Sequence, residues 1–373
     1  MTMAIIQQTR RTPANAAAGF SLIEVLVSMG ILTVIIGATL AGMTSIMQAN
    51  EIVLQMTTMN NSLRSGMDLI VRDMLMVGSG LPSGHTVTIP NGANSTPVRL
   101  PGPPGSNFTT AVGDTTIPAV IPRPGGGPVI NSMATDVLTV LMADNTFLNV
   151  QLSAVAASSV DVAPSVNIAN GPDRVSVGQL MMIAKGSQTT LVQVTAVNPA
   201  TRRLTFSDGD SLNLNQSAAE LGNLPALNAV APVNSAAATN ITRVRMITYY
   251  LDATTDPRHP RLVRRINAGH PTTFDNTLGT AVAMDIENVM FTFDISNGSN
   301  NPGNVRMLAT DLLPGGACDL VACAATQIRK VNVALTGRIR NVGNNQSRLP
   351  MRNTLQSQVA LRGMAFVDRY RAN

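Results

Sequence analysis

The sequence predicts an α+β protein: a long N-terminal helix, membrane-spanning in its first half and amphipathic in its second, packed on a β-rich head with long loops. Three observations predict it. Residues 20–43 form a 24-residue apolar run with one charge, Glu24. From Ile46 to Val77 apolar residues then recur at 3- and 4-residue steps, the period of a helix with one buried stripe. Beyond Val77, β-branched runs alternate with stretches rich in Gly, Pro, Asn and Ser.

Composition agrees with this outline. The chain has 373 residues, enough for about two domains or one large one. Hydrophobic residues make up 45% and charged residues only 13%, about half the usual ~25% of a soluble protein. The 29 Gly and 22 Pro point to many turns and loops and argue against an all-helical chain. The net charge of +5 comes from 26 basic and 21 acidic residues, and Lys185 and Lys330 are the only lysines. No basic block or tail is present, which argues against nucleic acid as a partner.

Taking the elements in order, residues 1–19 are polar and carry Arg10 and Arg11 without an acid. The run 20–43 would make a helix about 36 Å long, enough to cross the ~30 Å core of a bilayer. Basic residues before the span place 1–19 in the cytoplasm and the bulk of the chain outside. Glu24 is costly in an apolar span and needs a positive partner. A free amine at Phe20, made by cleavage after Gly19, would supply one, from the same chain or a neighbour. Residues 44–77 continue as an amphipathic helix that ends at Gly78-Ser79-Gly80-Leu81-Pro82. The head, 78–373, has expected strands at 136–142, 189–197, 243–251, 289–295 and 328–340. Residues 78–130 and 208–242 are expected to be loop-rich insertions.

Little in the head suggests chemistry. His85, His259 and His270 stand apart beside Pro or Gly, and no zinc or nucleophile motif is present. Gly125-Gly126-Gly127 lacks the lysine of a phosphate loop. Asp208-Gly209-Asp210, with Asn213 and Asn215, misses the calcium-loop spacing and reads as a turn. Arg258, Arg261, Arg264 and Arg265 read as wet-face arginines paired with Asp252, Asp256 or Glu287. No catalytic residue, metal or cofactor is expected. Cys318 and Cys323 have no His or third Cys nearby to complete a zinc site, and their spacing is longer than that of a CxxC redox pair. Outside the cytoplasm they would form a local disulfide; otherwise they are two free thiols.

The segment Gly19-Phe20-Ser21-Leu22-Ile23-Glu24-Val25-Leu26-Val27 resembles the processing site of type IV prepilins and type II secretion pseudopilins. The resemblance implies cutting after Gly19 by a prepilin peptidase, N-methylation of Phe20, and pairing of Glu24 with a neighbouring subunit's N-terminus during assembly. In the head, Tyr249-Tyr250-Leu251, Arg261-Leu262-Val263-Arg264, Asp285 to Phe293 and Ile328 to Ile339 follow in an order that resembles PilW-type minor pilins and the J-type minor pseudopilin. Val359-Ala360-Leu361-Arg362 resembles their closing segment, with Gly363 where Asn is usual. The expectation is therefore a pilin-like head and a minor pilin, held in the inner membrane and then built into a pilus. Its partners would be the peptidase, membrane lipid, major and minor pilins, and the inner-membrane assembly platform. The alternatives are a J-type minor pseudopilin and an adhesive module at a pilus tip.

Overall fold

The computed structural model describes residues 19–82, 84–89, 97–215, 239–267, 279–296, 301–311, 316–317, 323–339 and 350–364. The leader, residues 1–18, lies outside them, as do Cys318, His270 and residues 216–238 of the expected second insertion.

The N-terminal helix α1 runs from Leu22 to Met76. Its first part, through Gln55, belongs to one compact unit of the chain; residues from Met56 onward belong to the other. In the first unit the helix is apolar and exposed: Leu22, Ile23, Leu26, Met29, Val34 and Met43 each leave more than half their surface free. It is the one described helix long and apolar enough to cross a membrane. Such a continuous apolar surface is not stable in water.

In the second unit α1 changes character. Met59, Leu63, Gly66, Met67, Ile70, Asp73 and Met74 are buried, following the helical period. Two glycines let this stripe approach the sheets closely. A Cβ on Gly66 would sit 3.0 Å from the Ala283 methyl, and one on Gly337 would sit 2.9 Å from Met59 Cγ. Gly78, at φ +75°, takes the left-handed conformation just beyond the helix end, as a helix C-terminus commonly requires.

The described strands of the head are as follows. The first group is β1 (Thr86–Thr88), β2 (Arg99–Leu100), β3 (Phe108–Thr109), β4 (Thr116–Pro118), β5 (Val120–Arg123), β6 (Val129–Ile130) and β7 (Met133–Ala134). The second is β8 (Val137–Ala143), β9 (Val150–Val155), β10 (Ser159–Val162), β11 (Leu180–Lys185), β12 (Gln188–Gln193), β13 (Ala196–Asn198) and β14 (Arg203–Thr205). The last is β15 (Thr239–Asp252), β16 (Arg261–Ile266), β17 (Thr280–Met284), β18 (Ile286–Ile295), β19 (Ile328–Ile339) and β20 (Met351–Ala360).

They form one large antiparallel sheet, a three-stranded sheet β18-β19-β20, and three two-stranded ribbons. The large sheet is organised by β15. Its first half pairs with β11 and β9, and its second half with β8 and β16. The helix stripe packs on residues of both sheets in one core containing Ile247, Tyr249, Leu251, Val289, Phe291, Val331 and Leu335. β19 alternates buried and half-buried residues along most of its length, as a sheet with one covered face requires. β8 is buried at every residue, so both its faces are covered.

Four of the five expected strands appear nearly as read: β8, β15, β18 and β19. The fifth, 189–197, is interrupted, ending at Gln193 as β12 and resuming at Ala196 as β13. The stretch 78–130 is not simply loop. It holds β1 to β6, each of two to four residues, and Val87, Ile89, Val98, Leu100 and Ile117 are buried with Leu212 and Leu214 against Leu141, Leu180, Leu191 and Val244 of the large sheet. Between β8 and β15 the chain builds a β lobe around Phe147, Leu152, Val160, Val192, Leu204 and Phe206.

Candidate processing and assembly site

Gly19 and Phe20 precede the helix, and Phe20 is 83% exposed. Ser21 opens α1: its carbonyl accepts the amides of Glu24 (3.0 Å) and Val25 (3.2 Å). Glu24 therefore lies in the first helical turn, where a carboxylate interacts favourably with the helix dipole. Ser21-Leu22-Ile23-Glu24 also has the Ser-x-x-Glu spacing of a helix start, a signal legible in the sequence. Cleavage at Gly19 needs an accessible strand of chain, and Gly19 and Phe20 are exposed and outside regular structure. Cys323 is buried against the helix core, while its expected partner lies outside the described residues.

Where the helix meets the head, charge is used differently. Asp73 stands on the buried stripe, 5% exposed. Its Oδ2 accepts the Tyr249 hydroxyl (2.5 Å) and Arg264 Nε (2.6 Å), and its Oδ1 accepts Arg264 Nη2 (3.1 Å). Burial pushes the Tyr249 hydroxyl far up, and the adjacent Asp73 carboxylate adds to this, so the phenol stays a donor. Burial pulls the Arg264 guanidinium down, but its bonds to Asp73 outweigh this and hold it above its usual value. Sequence reading placed Arg264 among surface arginines and did not single out Asp73. The available signal was a lone acid on an apolar stripe.

The other arginines of that cluster divide. Arg261 pairs with Asp252 (2.8 Å), as expected. Arg265 is 2% exposed and donates to the Asn267 carbonyl (3.2 Å), so it is not on a wet face. Glu287 takes Arg352 instead, through two bonds of 2.7 and 2.9 Å, and also accepts from Asn131. Asp136, 1% exposed, ties the sheets together: its carboxylate accepts Arg306, the Gly125 amide and the Phe291 amide. Asp210 is the centre of its turn, accepting the amides of Leu212, Leu214 and Asn215. Burial pushes its carboxyl up to about 6 against the pull of those donors. Among the described residues, no group of three or more His, Cys, Asp or Glu is placed to hold a metal.

The first 19 residues of α1 and the segment just before it match the family model described as the prokaryotic N-terminal methylation motif, over residues 14–40. This prepilin-type motif, with a strand-rich head behind a long apolar helix, supports a type IV pilin-like protein. No curated protein and no solved structure matches the chain.

Proposed function

We propose that the chain is a minor type IV pilin of the PilW type. The observation that carries the reading is a coincidence in position. The methylation motif ends inside a helix whose residues 22–43 expose a mainly apolar surface with a single charge, Glu24. A peptidase cuts after Gly19, and Phe20 becomes the N-methylated first residue. Residues 20–43 hold the subunit in the inner membrane with the head outside the cytoplasm; 44–77 serve as the spine of the head, 78–373. On assembly the helix leaves lipid for a core of packed apolar helices. Glu24 then sits in a dry environment, where an unpaired charge costs several kcal/mol. The Phe20 amine of a neighbour neutralises it and sets the register. Cys318 and Cys323 close a local disulfide in the oxidising exterior. The same features fit a J-type minor pseudopilin, and the separate core of the β9–β14 lobe favours, as a second reading, a binding role at a filament tip.

The test is intact and peptide mass spectrometry of the protein from membranes of cells with a prepilin peptidase. A chain starting at N-methylated Phe20 supports the reading. A chain retaining residues 1–19 indicates a plain anchor and overturns it.

A further inference from the structure

The three-stranded sheet ends in an open strand. β20 pairs with β19 along ten consecutive residues, Met351 to Ala360. Among the described residues no strand pairs its other side. The Leu361 amide donates to the Arg329 carbonyl (2.9 Å), which fixes the alternation of the ladder. Odd-numbered residues of β20 therefore bond inward to β19. Arg352, Thr354, Gln356, Gln358 and Ala360 present their amides and carbonyls outward.

An edge of this length is normally blunted by proline, a bulge or an unpaired charge. β20 has no proline, and its pairing with β19 runs without a bulge. Its single charge, Arg352, is spent on the bidentate pair with Glu287. The edge is thus neutral, and among the described residues five of its backbone rungs pair with no strand. Beside it, on the sheet face away from α1, lies a groove of about 450 Å³ bordered by Met290, Asn332, Ala334, Gln356 and Gln358. Open rungs with an adjoining groove are the two parts of a strand-addition site: the backbone supplies affinity and the groove receives side chains.

We infer that β20 is a docking edge for a β-strand from the head of a different, co-assembled pilin-type subunit. This rests on the filament reading above. An antiparallel pair of two copies is excluded by the path of the chain. Asn60 on α1 bonds Asn353, and a Cβ on Gly363 would meet the Val77 carbonyl, so β20 runs in the same sense as residues 60–77. Antiparallel self-pairing would put the two Met56 entry points at opposite ends, whereas subunits anchored in one membrane enter from the same end. An arriving neutral strand, rich in hydroxyl or amide side chains, meets no uncompensated charge on β20.

Hydrogen–deuterium exchange on the full processed chain, first alone in detergent and then in sheared filaments, tests this. The outward amides of 352, 354, 356, 358 and 360 should exchange freely in detergent and slow at least tenfold in filaments. The inward amides of 353, 355, 357 and 359 should be protected in both. Outward amides that stay fast in filaments containing the chain overturn the edge while leaving the filament reading intact. A chain absent from filaments overturns both. In parallel, Gln356→Pro removes an outward donor but no bond to β19, and Gln356→Lys adds an edge charge. Both should lower incorporation at least fivefold with an unchanged melting temperature. Incorporation of Gln356→Lys at the wild-type level, or a covalently trapped homodimer as the species formed across β20, overturns the inference.

Discussion

Replacing Asp73 with alanine removes three bonds at once, to the Tyr249 hydroxyl and to two nitrogens of Arg264. The guanidinium left behind has a side chain only 16% exposed. Stripping one partner from such a pair costs about 3–5 kcal/mol, because a charge remains where water cannot reach it. The orphaned hydroxyl of Tyr249, itself fully buried, adds roughly 1–3 kcal/mol. The two penalties share one site and overlap, so a total of about 4 kcal/mol is expected. At ~2–4 °C per kcal/mol for a domain of this size, that is a fall of about 10 °C in melting temperature. Because the chain has no tryptophan and two of its three tyrosines are Tyr249 and Tyr250, tyrosine emission reports unfolding of the full chain in detergent. Arg264→Ala should cost nearly as much, and the double variant far less than the sum. Leucine at 73 and 264 with phenylalanine at 249 should recover to within about 2 kcal/mol of wild type. A loss below about 1 kcal/mol for Asp73→Ala would refute the view that this cluster pins the helix to the sheet.

Other outcomes follow from the same contacts. Glu24→Val should insert into membranes normally yet reach filaments at a small fraction of the wild-type level, by immunoblot of sheared pili; normal incorporation removes its assigned role. Gly66→Leu should destabilise by at least 1–3 kcal/mol through overpacking, since even a Cβ there approaches Leu262 to 3.2 Å. Asp210 titrates near 6 in the folded head against an ordinary 3.8, so the folded state binds its proton more tightly. Its contribution to stability should fall by roughly 3 kcal/mol as pH rises from ~4 to ~6. Melting curves across that range should show the slope, and Asp210→Asn should flatten it. Asp252 has the opposite sign: burial works against its charge, but Thr255, Thr254 and Arg261 outweigh burial and hold its carboxyl low. Its stabilisation is present above its ordinary value and is lost as pH falls below ~4, a loss that Asp252→Asn should abolish.

What could be read from residues alone was what has a strong period or a strong length. The helix was legible because 24 apolar residues followed by a 3–4 repeat have no other use, and its ends fell within two residues of Leu22 and Met76. The strands β15, β18 and β19 were legible because each is ten residues or more with β-branched or alternating side chains. The short strands β1 to β7 were not, since strands of two to four residues among Gly and Pro carry no period. Nor was the Asp73 cluster, whose members are 176 and 191 residues apart in the chain and meet only through the tertiary fold. Gly19, Phe20 and Glu24 are the reverse case: they form a contiguous signal that requires no folding to be recognised.

The length of β15 has a mechanical consequence. Its fourteen residues belong at one end to the inserted lobe, through β11 and β9, and at the other to the helix-bearing core, through β8 and β16. A pull that separated the lobe from the core would act along this strand, at right angles to its hydrogen bonds. The bonds would then be sheared together instead of unzipping one at a time. The strand is a tie-bar through which the lobe and the core can bear tension together.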